Sequence, residues 1–380
     1  MFNIYVSMKI LQLGKFYPIR GGVEKVMYDL MMGLSGEGVY CDMLCASTED
    51  YPAGIIDINA FAKLIVVPTK LKLAATMMAP SMISELRRIA KDYDIIHIHH
   101  PDPMASLALL LSGFKGKVVL HWHSDILKQK TLLKLYTPLQ SWLLKRADVI
   151  VGTTPIYVKE SSFLQHVQHK IDYIPIGIEY VDPDREKVEI IKQKYKDKHF
   201  IFSLGRLVEY KGYEYLIRAA QHLDDNYCII IGGKGPLMEP LTSLINELGV
   251  QDKVSLLGFV ADEDIFNYFE ACDLFCLSSI WKTEAFAIVQ IEAMSYGKPI
   301  ISAHIPGSGV SWVNKNEVSG LVVESENDLA LADAIKEIST NAVLKQRLSE
   351  GSKQRYEENF TRKKMAEKCL RLYSEILMLK

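Results

Sequence analysis

No stretch of this 380-residue sequence stays apolar long enough to cross a bilayer. The longest run, Met104 to Gly113, is interrupted by serines and falls well short of the ~20 residues that a spanning helix needs. Neither sign of charge is in excess: 44 Lys and Arg stand against 46 Asp and Glu, a net charge of -2. With no basic stripe to neutralise phosphates, nucleic-acid binding is not indicated. Cysteine is scarce. Its close pairs, Cys41 with Cys45 and Cys272 with Cys276, do not have C-x2-C spacing, which argues against zinc or dithiol motifs and leaves reduced core thiols. Repeats, low-complexity tracts and a recognisable secretory leader are also missing, so a cytoplasmic protein is expected. Met8, directly before the first apolar strand, is a candidate start.

What is present is a regular alternation of short apolar runs with helix-length amphipathic segments, the pattern of parallel sheets covered by helices. In the first half strands are expected at Lys9 to Leu13, Tyr40 to Cys45, Leu64 to Val67, Ile95 to Ile98, Val118 to His121, Val149 to Val151 and Asp172 to Ile174. In the second half they fall at Phe200 to Leu204, Tyr227 to Ile231, Val254 to Leu257, Leu274 to Leu277, Pro299 to Ser302 and Leu321 to Val323. The fold class is therefore α/β, with two Rossmann-like, doubly wound domains at 1–180 and 199–361 and a charged, Pro-containing linker at about 181–198. Such sheets bind ligands beyond the carboxyl ends of their strands, and the expected site is a cleft lined by those ends.

The segment from Ser278 to Met294 is the richest in chemistry. Glu284 and Glu292 bracket the start of an apolar helix whose N-terminal amides, near Phe286, Ala287 and Ile288, suit a phosphate group. A lone carboxylate in an apolar helical pattern, as at Glu292, needs a hydrogen-bonding partner. A sugar diol supplies one; equally, Glu284 reads as an N-cap acid and Glu292 as the partner of a nearby Lys or Arg. Upstream, Gly205-Arg206-Leu207 and Lys211-Gly212 follow a strand, which brings a planar fork and a point charge, the usual diphosphate ligands, to its carboxyl end. Gly21-Gly22 lies between the first strand and a helix, where the backbone can approach an anion. His97, His99, His100, His121 and His123 form H-x-H-H and H-x-H, a spacing also used by metal hydrolases, although no further ligands stand at the other strand ends.

The order of these pieces, G-R-L-x3-K-G, then G-x-G-P-L, then S-x5-E-x-F-x5-E-A-M-x2-G-x-P, resembles the donor half of the retaining glycosyltransferases of family 4. Gly21-Gly22-Val23-Glu24 and Val119-Leu120-His121-Trp122-His123-Ser124-Asp125 resemble the other half. The likeness runs over nearly the whole chain. It is nearest to bacterial enzymes of surface polysaccharide or lipopolysaccharide assembly, through His123-Ser124-Asp125-Ile126 and Pro306 to Asn314.

That resemblance implies the GT-B fold, with the C-terminal helix, 362–380, crossing back to the first domain. It implies a metal-independent transferase, with no cofactor beyond its co-substrate, a nucleotide-diphosphate sugar, GDP- or UDP-linked with a lean to GDP-mannose. Donor-binding residues would be Gly22, Arg206, Lys211, Val260, Glu284, Phe286, Ala287, Ile288 and Glu292. His123 would contact the transferred sugar as the catalytic residue, and Gly21 and Asp125 would meet the acceptor or a phosphate. The base would be held at Gly258-Phe259-Val260, mainly by backbone groups. Two departures stand out: Lys234, where relatives are often acidic, and Ala287, where they commonly have Gly. The implied acceptor is a glycan or lipid-linked sugar. Lys128, Lys130, Lys134, Lys145 and Arg146, interleaved with Leu132, Leu133, Leu135, Tyr136, Trp142, Leu143 and Leu144, are a candidate peripheral contact with the inner membrane, or simply a solvated helix with a core stripe. A nucleotide-sugar epimerase on the same fold and a metal hydrolase are the alternative functions.

Overall fold

Runs such as Ile95-Ile96-His97-Ile98, apolar without strict alternation, form strands buried on both faces, as a covered parallel sheet requires. The computed structural model describes residues 8–48, 50–73, 76–126 and 130–378. Residues through Ile178, joined by those from Thr361 onward, make one unit, and Glu179–Phe360 make a second.

In the first unit the strands are β1 (Lys9–Tyr17), β2 (Tyr40–Ser47), β3 (Gly54–Asn59), β4 (Ala62–Val67), β5 (Leu71–Leu73), β6 (Thr76–Met78), β7 (Ile95–His100), β8 (Lys117–Trp122), β9 (Val149–Gly152) and β10 (Ile171–Tyr173). Eight of them form one sheet in the order β10-β9-β8-β7-β1-β2-β4-β3, while β5 pairs with β6. Within the large sheet β3 is antiparallel to its neighbour β4. The apolar pattern of the sequence does not mark β3, β5 or β6. At the sheet edge β3 leaves Ile55 60% exposed, and its mixed Gly-Ile-Ile-Asp-Ile-Asn composition does not distinguish a strand from a loop.

In the second unit β11 (His199–Leu204), β12 (Tyr227–Gly232), β13 (Val254–Gly258), β14 (Leu274–Leu277), β15 (Ile300–His304) and β16 (Gly320–Glu324) make a parallel sheet in the order β13-β12-β11-β14-β15-β16. This is the doubly wound order, reversing beside the first strand. The 181–198 stretch contains a helix, Arg185–Lys194, and lies within this unit. Asp184 caps the helix by accepting from the Glu186 and Lys187 amides, Val188 is buried, and Lys187 pairs with Asp264 at 2.6 Å.

The last helix, Arg362–Met378, returns to the first unit. Its buried apolar residues, Met365, Ala366, Cys369, Leu372, Tyr373 and Ile376, recur at the three- and four-residue spacing of one helical face. They pack against the Gly22–Gly36 helix, where Ala366 approaches so closely that a Cβ on Gly33 would lie 3.0 Å from the alanine methyl. Arg362 donates two hydrogen bonds to buried Asp29, at 2.8 and 3.1 Å. All six cysteines are buried free thiols. Burial pushes Cys228, Cys272, Cys276 and Cys369 up to about 12, so none is a thiolate at neutral pH. Among the described residues no helix is long and apolar enough to cross a membrane.

Candidate active site

In the second unit β11 and β14 lie side by side, but the chain leaves them in opposite directions. Their following loops diverge and open a crevice at the carboxyl end of the sheet. The loop after β11 carries Gly205, Arg206 and the short 3-10 turn Glu209–Lys211; the loop after β14 leads through Glu284 to the helix Ile288–Ser295. Lys211 Nζ lies 2.5 Å from Glu284 Oε2, and both side chains are about nine-tenths buried. Ser279 Oγ donates to the same carboxylate oxygen at 2.9 Å. Ser308 Oγ donates to the Glu284 carbonyl, and Ser278 Oγ to the Lys211 carbonyl at 2.9 Å. Gly205, at φ +158°, makes the pairing possible: a Cβ there would lie 3.1 Å from Lys211 Cε and 2.9 Å from the Tyr213 hydroxyl. Arg206 is exposed and has no ion pair among the described residues, so its guanidinium is available to an anion.

The Ile288–Ser295 helix begins at Ala287, which adopts φ +61°, ψ +80° with no side-chain cap. Its first-turn N–H groups therefore lack side-chain acceptors from the cap, the condition that favours an incoming anion. Phe286 and Ala287 are buried beneath this turn. Glu292 is half-buried on the same helix. Burial chiefly, and then the charges of Tyr180, Glu270 and Glu292, keep the neighbouring Tyr296 phenol protonated. Val260 lies just after β13 and is buried, whereas Phe259 beside it is 64% exposed with Lys234 Nζ 4.9 Å from its ring centroid.

The first unit reverses direction between β1 and β7. Gly21 and Gly22 are exposed at the N-terminus of the Gly22–Gly36 helix. Glu24 folds back over this end, its Oε2 2.6 Å from where a Cβ on Gly21 would begin. Burial raises the Glu24 carboxyl, with Lys15 and the residue's own backbone N–H opposing the shift. The structure thus fills part of the terminus that the sequence offered to a phosphate.

On β7 and β8 the residues His99 and His121 are register partners, so His97, His99, His121 and His123 share a face and stack. His121 and His123 are 4.1 Å apart and within 10° of parallel. Behind them β1 supplies Gln12, whose Oε1 lies 2.8 Å from His99 Nε2; His99 Nδ1 lies 2.8 Å from His123 Nε2. His97 Nδ1 meets the Tyr373 hydroxyl at 2.5 Å. Burial drives all of these imidazoles below their usual range, to about 3 for His121 and also for neighbouring His100.

The ligand nitrogens of His97, His99 and His121 lie within 4.8 Å of one another, but the geometry does not suit a metal. A tetrahedral zinc with bonds of about 2.0–2.1 Å needs nitrogens roughly 3.3 Å apart with converging lone pairs. These rings are stacked at interplanar angles of 13°, 20° and 24°, and His99 already uses both nitrogens.

Asp125 anchors the loop after β8. Its Oδ1 accepts from Trp122 Nε1 at 2.8 Å and Ser161 Oγ at 2.7 Å, while its amide donates to the Tyr157 hydroxyl at 2.8 Å. Lys128 lies outside the described residues, as do the side chains of Lys130 and Leu132. Further along that helix Leu135 is 78% exposed, whereas Arg146 is tied to the Gly116 carbonyl at 2.6 Å and to Asp148.

Gln12 in the first unit and Ser279 and Ser308 in the second are assigned no role from the sequence, although both serines lie within the stretches that carry the resemblance. Gln12 left one signal, a single amide within the apolar run Ile10-Leu11-Gln12-Leu13; a polar residue there must find a buried partner. The roles of the serines are not readable in the sequence, because bracing by hydroxyls depends on how distant loops meet.

Two outcomes follow from this geometry. Ala287 sits where a Cβ is strained, so Ala287→Gly should raise unfolding free energy by about 1 kcal/mol, the left-handed penalty less the added entropy of the unfolded chain. Urea melts of the two proteins test this, and a loss of stability would contradict a positive φ at this position. The second concerns acid. His97, His99, His100, His121 and His123 are neutral when folded but take up protons when unfolded below about pH 6.5. Stability from their neutral burial is complete above pH 6.5 and is lost as pH falls toward 3, at up to about 1.4 kcal/mol per pH unit for each histidine. Urea midpoints should fall steeply between pH 6.5 and 5; a flat profile would show that these rings are not buried neutral.

Comparison with known proteins fits both halves. Residues 20–181 match the family model described as Glycosyltransferase Family 4, and residues 184–355 that described as Glycosyl transferases group 1. O-antigen chain mannosyltransferase C of Escherichia coli is 32% identical over 97% of this chain and 99% of its own length. D-rhamnosyltransferase WbpZ of Pseudomonas aeruginosa is 31% identical over 93% of this chain and 92% of its own. Among solved structures, HepE from Anabaena in complex with UDP superposes with a TM-score of 0.76 at 20% identity, covering 97% of this chain and all of that one. A glycosyltransferase from Rickettsia africae does so at 0.75 and 22%, covering 99% of this chain and all of its own. With a doubly wound sheet in each unit, a family match to each half and relatives aligned end to end, the chain belongs to the family 4, group 1 glycosyltransferases of the GT-B fold and is a transferase enzyme.

Proposed function

We propose that the protein moves a hexose, with retention of configuration, from a nucleotide-diphosphate sugar to a glycan or lipid-linked acceptor in the assembly of bacterial surface polysaccharide. The observation that carries the donor side is the buried Lys211–Glu284 pair beside an uncapped helix N-terminus, with Arg206 exposed nearby. Arg206, Lys211 and the amides near Phe286, Ala287 and Ile288 take the diphosphate. Glu284 and Glu292 take sugar or ribose hydroxyls, and the backbone around Val260 takes the base. Of two relatives that align over more than nine-tenths of the chain, one is named an O-antigen chain mannosyltransferase and the other a D-rhamnosyltransferase, which favours a GDP-sugar of the mannose type.

His123 contacts the transferred sugar. The acceptor hydroxyl attacks on the face from which the nucleotide leaves, and a departing phosphate oxygen takes its proton. Arg206 and Lys211 stabilise the charge that grows on that phosphate, the task a divalent metal performs elsewhere. Gly21 and Gly22 remain candidates for phosphate or acceptor contact, and Asp125 acts by fixing the loop that bears His123. The protein works in the cytoplasm, where exposed Lys134, Leu135 and Lys145 provide a peripheral contact with the inner membrane.

A thermal-shift series over GDP- and UDP-sugars tests the donor, because a ligand that binds only the folded state raises its apparent stability. GDP-mannose should give the largest shift, and stabilisation by UDP-sugars alone would overturn the GDP assignment. His123→Ala tests the division of roles. Transfer should drop by about 100-fold or more, the scale of a positioned catalytic group, while calorimetric affinity for the free nucleoside diphosphate stays within about twofold. A large loss of that affinity would remove His123 from the reacting sugar.

A further inference from the structure

His123 does not stand alone. Its Nε2 lies 2.8 Å from His99 Nδ1, and His99 Nε2 lies 2.8 Å from Gln12 Oε1. Gln12 and His99 are fully buried, and His123 is 6% exposed. Gln12 and His99 lie on the paired strands β1 and β7, and His123 directly follows β8, which pairs with β7 on its other side. The amide nitrogen of Gln12 donates to Cys41 Sγ at 3.5 Å, which turns its carbonyl oxygen toward His99.

The chemistry of these groups sets the direction of the chain. A carboxamide oxygen only accepts, so the hydrogen between Gln12 and His99 belongs to His99 Nε2. Burial holds both imidazoles neutral, and a neutral ring has one N–H to place. His99 Nδ1 is therefore an acceptor, and the hydrogen between the two rings belongs to His123 Nε2. Among the described residues none hydrogen-bonds to His123 Nδ1. We propose that Gln12 and His99 are positioning residues that lock His123 as its Nε2–H tautomer and so present Nδ1 as an acceptor for a hydroxyl of the transferred sugar. This rests on the reading that His123 touches that sugar, but the tautomer is a property of the free protein and is measured without it.

The test uses full-length protein labelled with 15N-histidine. Long-range 1H–15N correlation spectra assign the tautomer of each ring. In the parent, both His99 and His123 should be Nε2–H. In His99→Leu the acceptor is gone, His123 should become a tautomer mixture, and kcat for transfer should fall by about tenfold with nucleoside diphosphate affinity unchanged. His99→Asn, whose side-chain oxygen falls near the Nδ1 position, should restore kcat to within about threefold of the parent and return the His123 spectrum to Nε2–H. An Nδ1–H His123 in the parent would overturn the proposal, as would equal damage from Leu and Asn or an unchanged spectrum in His99→Leu. Should His99→Leu fail to fold, the parent spectrum and His99→Asn decide. Normal transfer by His123→Ala would instead sink the sugar contact while leaving the tautomer result standing.

Discussion

The second unit of this enzyme is organised around one buried ion pair. Lys211 comes from the loop after the first strand of its sheet and Glu284 from the loop after the fourth, so their contact ties together the two loops that diverge at the switch point. Removing one partner of a buried pair typically costs about 3–5 kcal/mol, because the other charge is left without a counter-ion. The surrounding sequence is organised around that constraint. Gly205 gives up a side chain so that the ammonium fits, Ser279 supplies a second hydrogen bond to the carboxylate, and Ser278 and Ser308 hold the backbone of the two partners. The pair also bears on the proposed diphosphate site. Lys211 is already compensated by Glu284, whereas Arg206 has no ion pair among the described residues and the helix N-terminus has no side-chain cap.

The first unit solves the same topological problem with the opposite chemistry. Its switch point also lies between the first strand and a returning one, but the strands there carry neutral imidazoles in place of charges. Burial of several rings on one face excludes the protonated form. The stack is therefore held by ring contact and by hydrogen bonds to Gln12 and Tyr373. Tyr373 belongs to the C-terminal helix, so the return of residues 362–378 to this unit closes the back of the histidine array as well as adding apolar cover.

Much of this was legible in sequence because it depends on local pattern. Continuous apolar runs mark doubly covered parallel strands, and the glycine, arginine and lysine spacing after β11 places two cations at one strand end. Glu284 was legible as a carboxylate near a helix start, but its partner was not: Lys211 is 73 residues away, and the sheet order that joins them is a tertiary fact. Ala287 shows the reverse case. The departure from glycine was visible in the motif, but the positive φ that gives it meaning appears only in the backbone. Edge strand β3 escaped because none of its residues is fully buried and Gly-Ile-Ile-Asp-Ile-Asn lacks the clean two-residue alternation of a half-buried strand, and Gln12 because an amide in a strand announces a partner without naming it.

The neutrality of the histidines bears on the role proposed for His123. A general acid at this position would need an imidazolium, and burial together with neighbouring rings and Lys15 holds His123 well below the range in which one forms near pH 7. As a base it is equally poor, since a depressed pKa is a weak appetite for a proton. What a neutral, oriented imidazole does well is accept a hydrogen bond from a hydroxyl and fix its direction. The proton released by the acceptor must then go to a more basic oxygen formed during the reaction. In the proposed mechanism the departing phosphate is that oxygen, and its basicity rises as its bond to the sugar breaks. Among the described residues the ring that hydrogen-bonds to His123 is itself buried and neutral, which is consistent with a proposed role in orienting a hydroxyl and not in taking its proton.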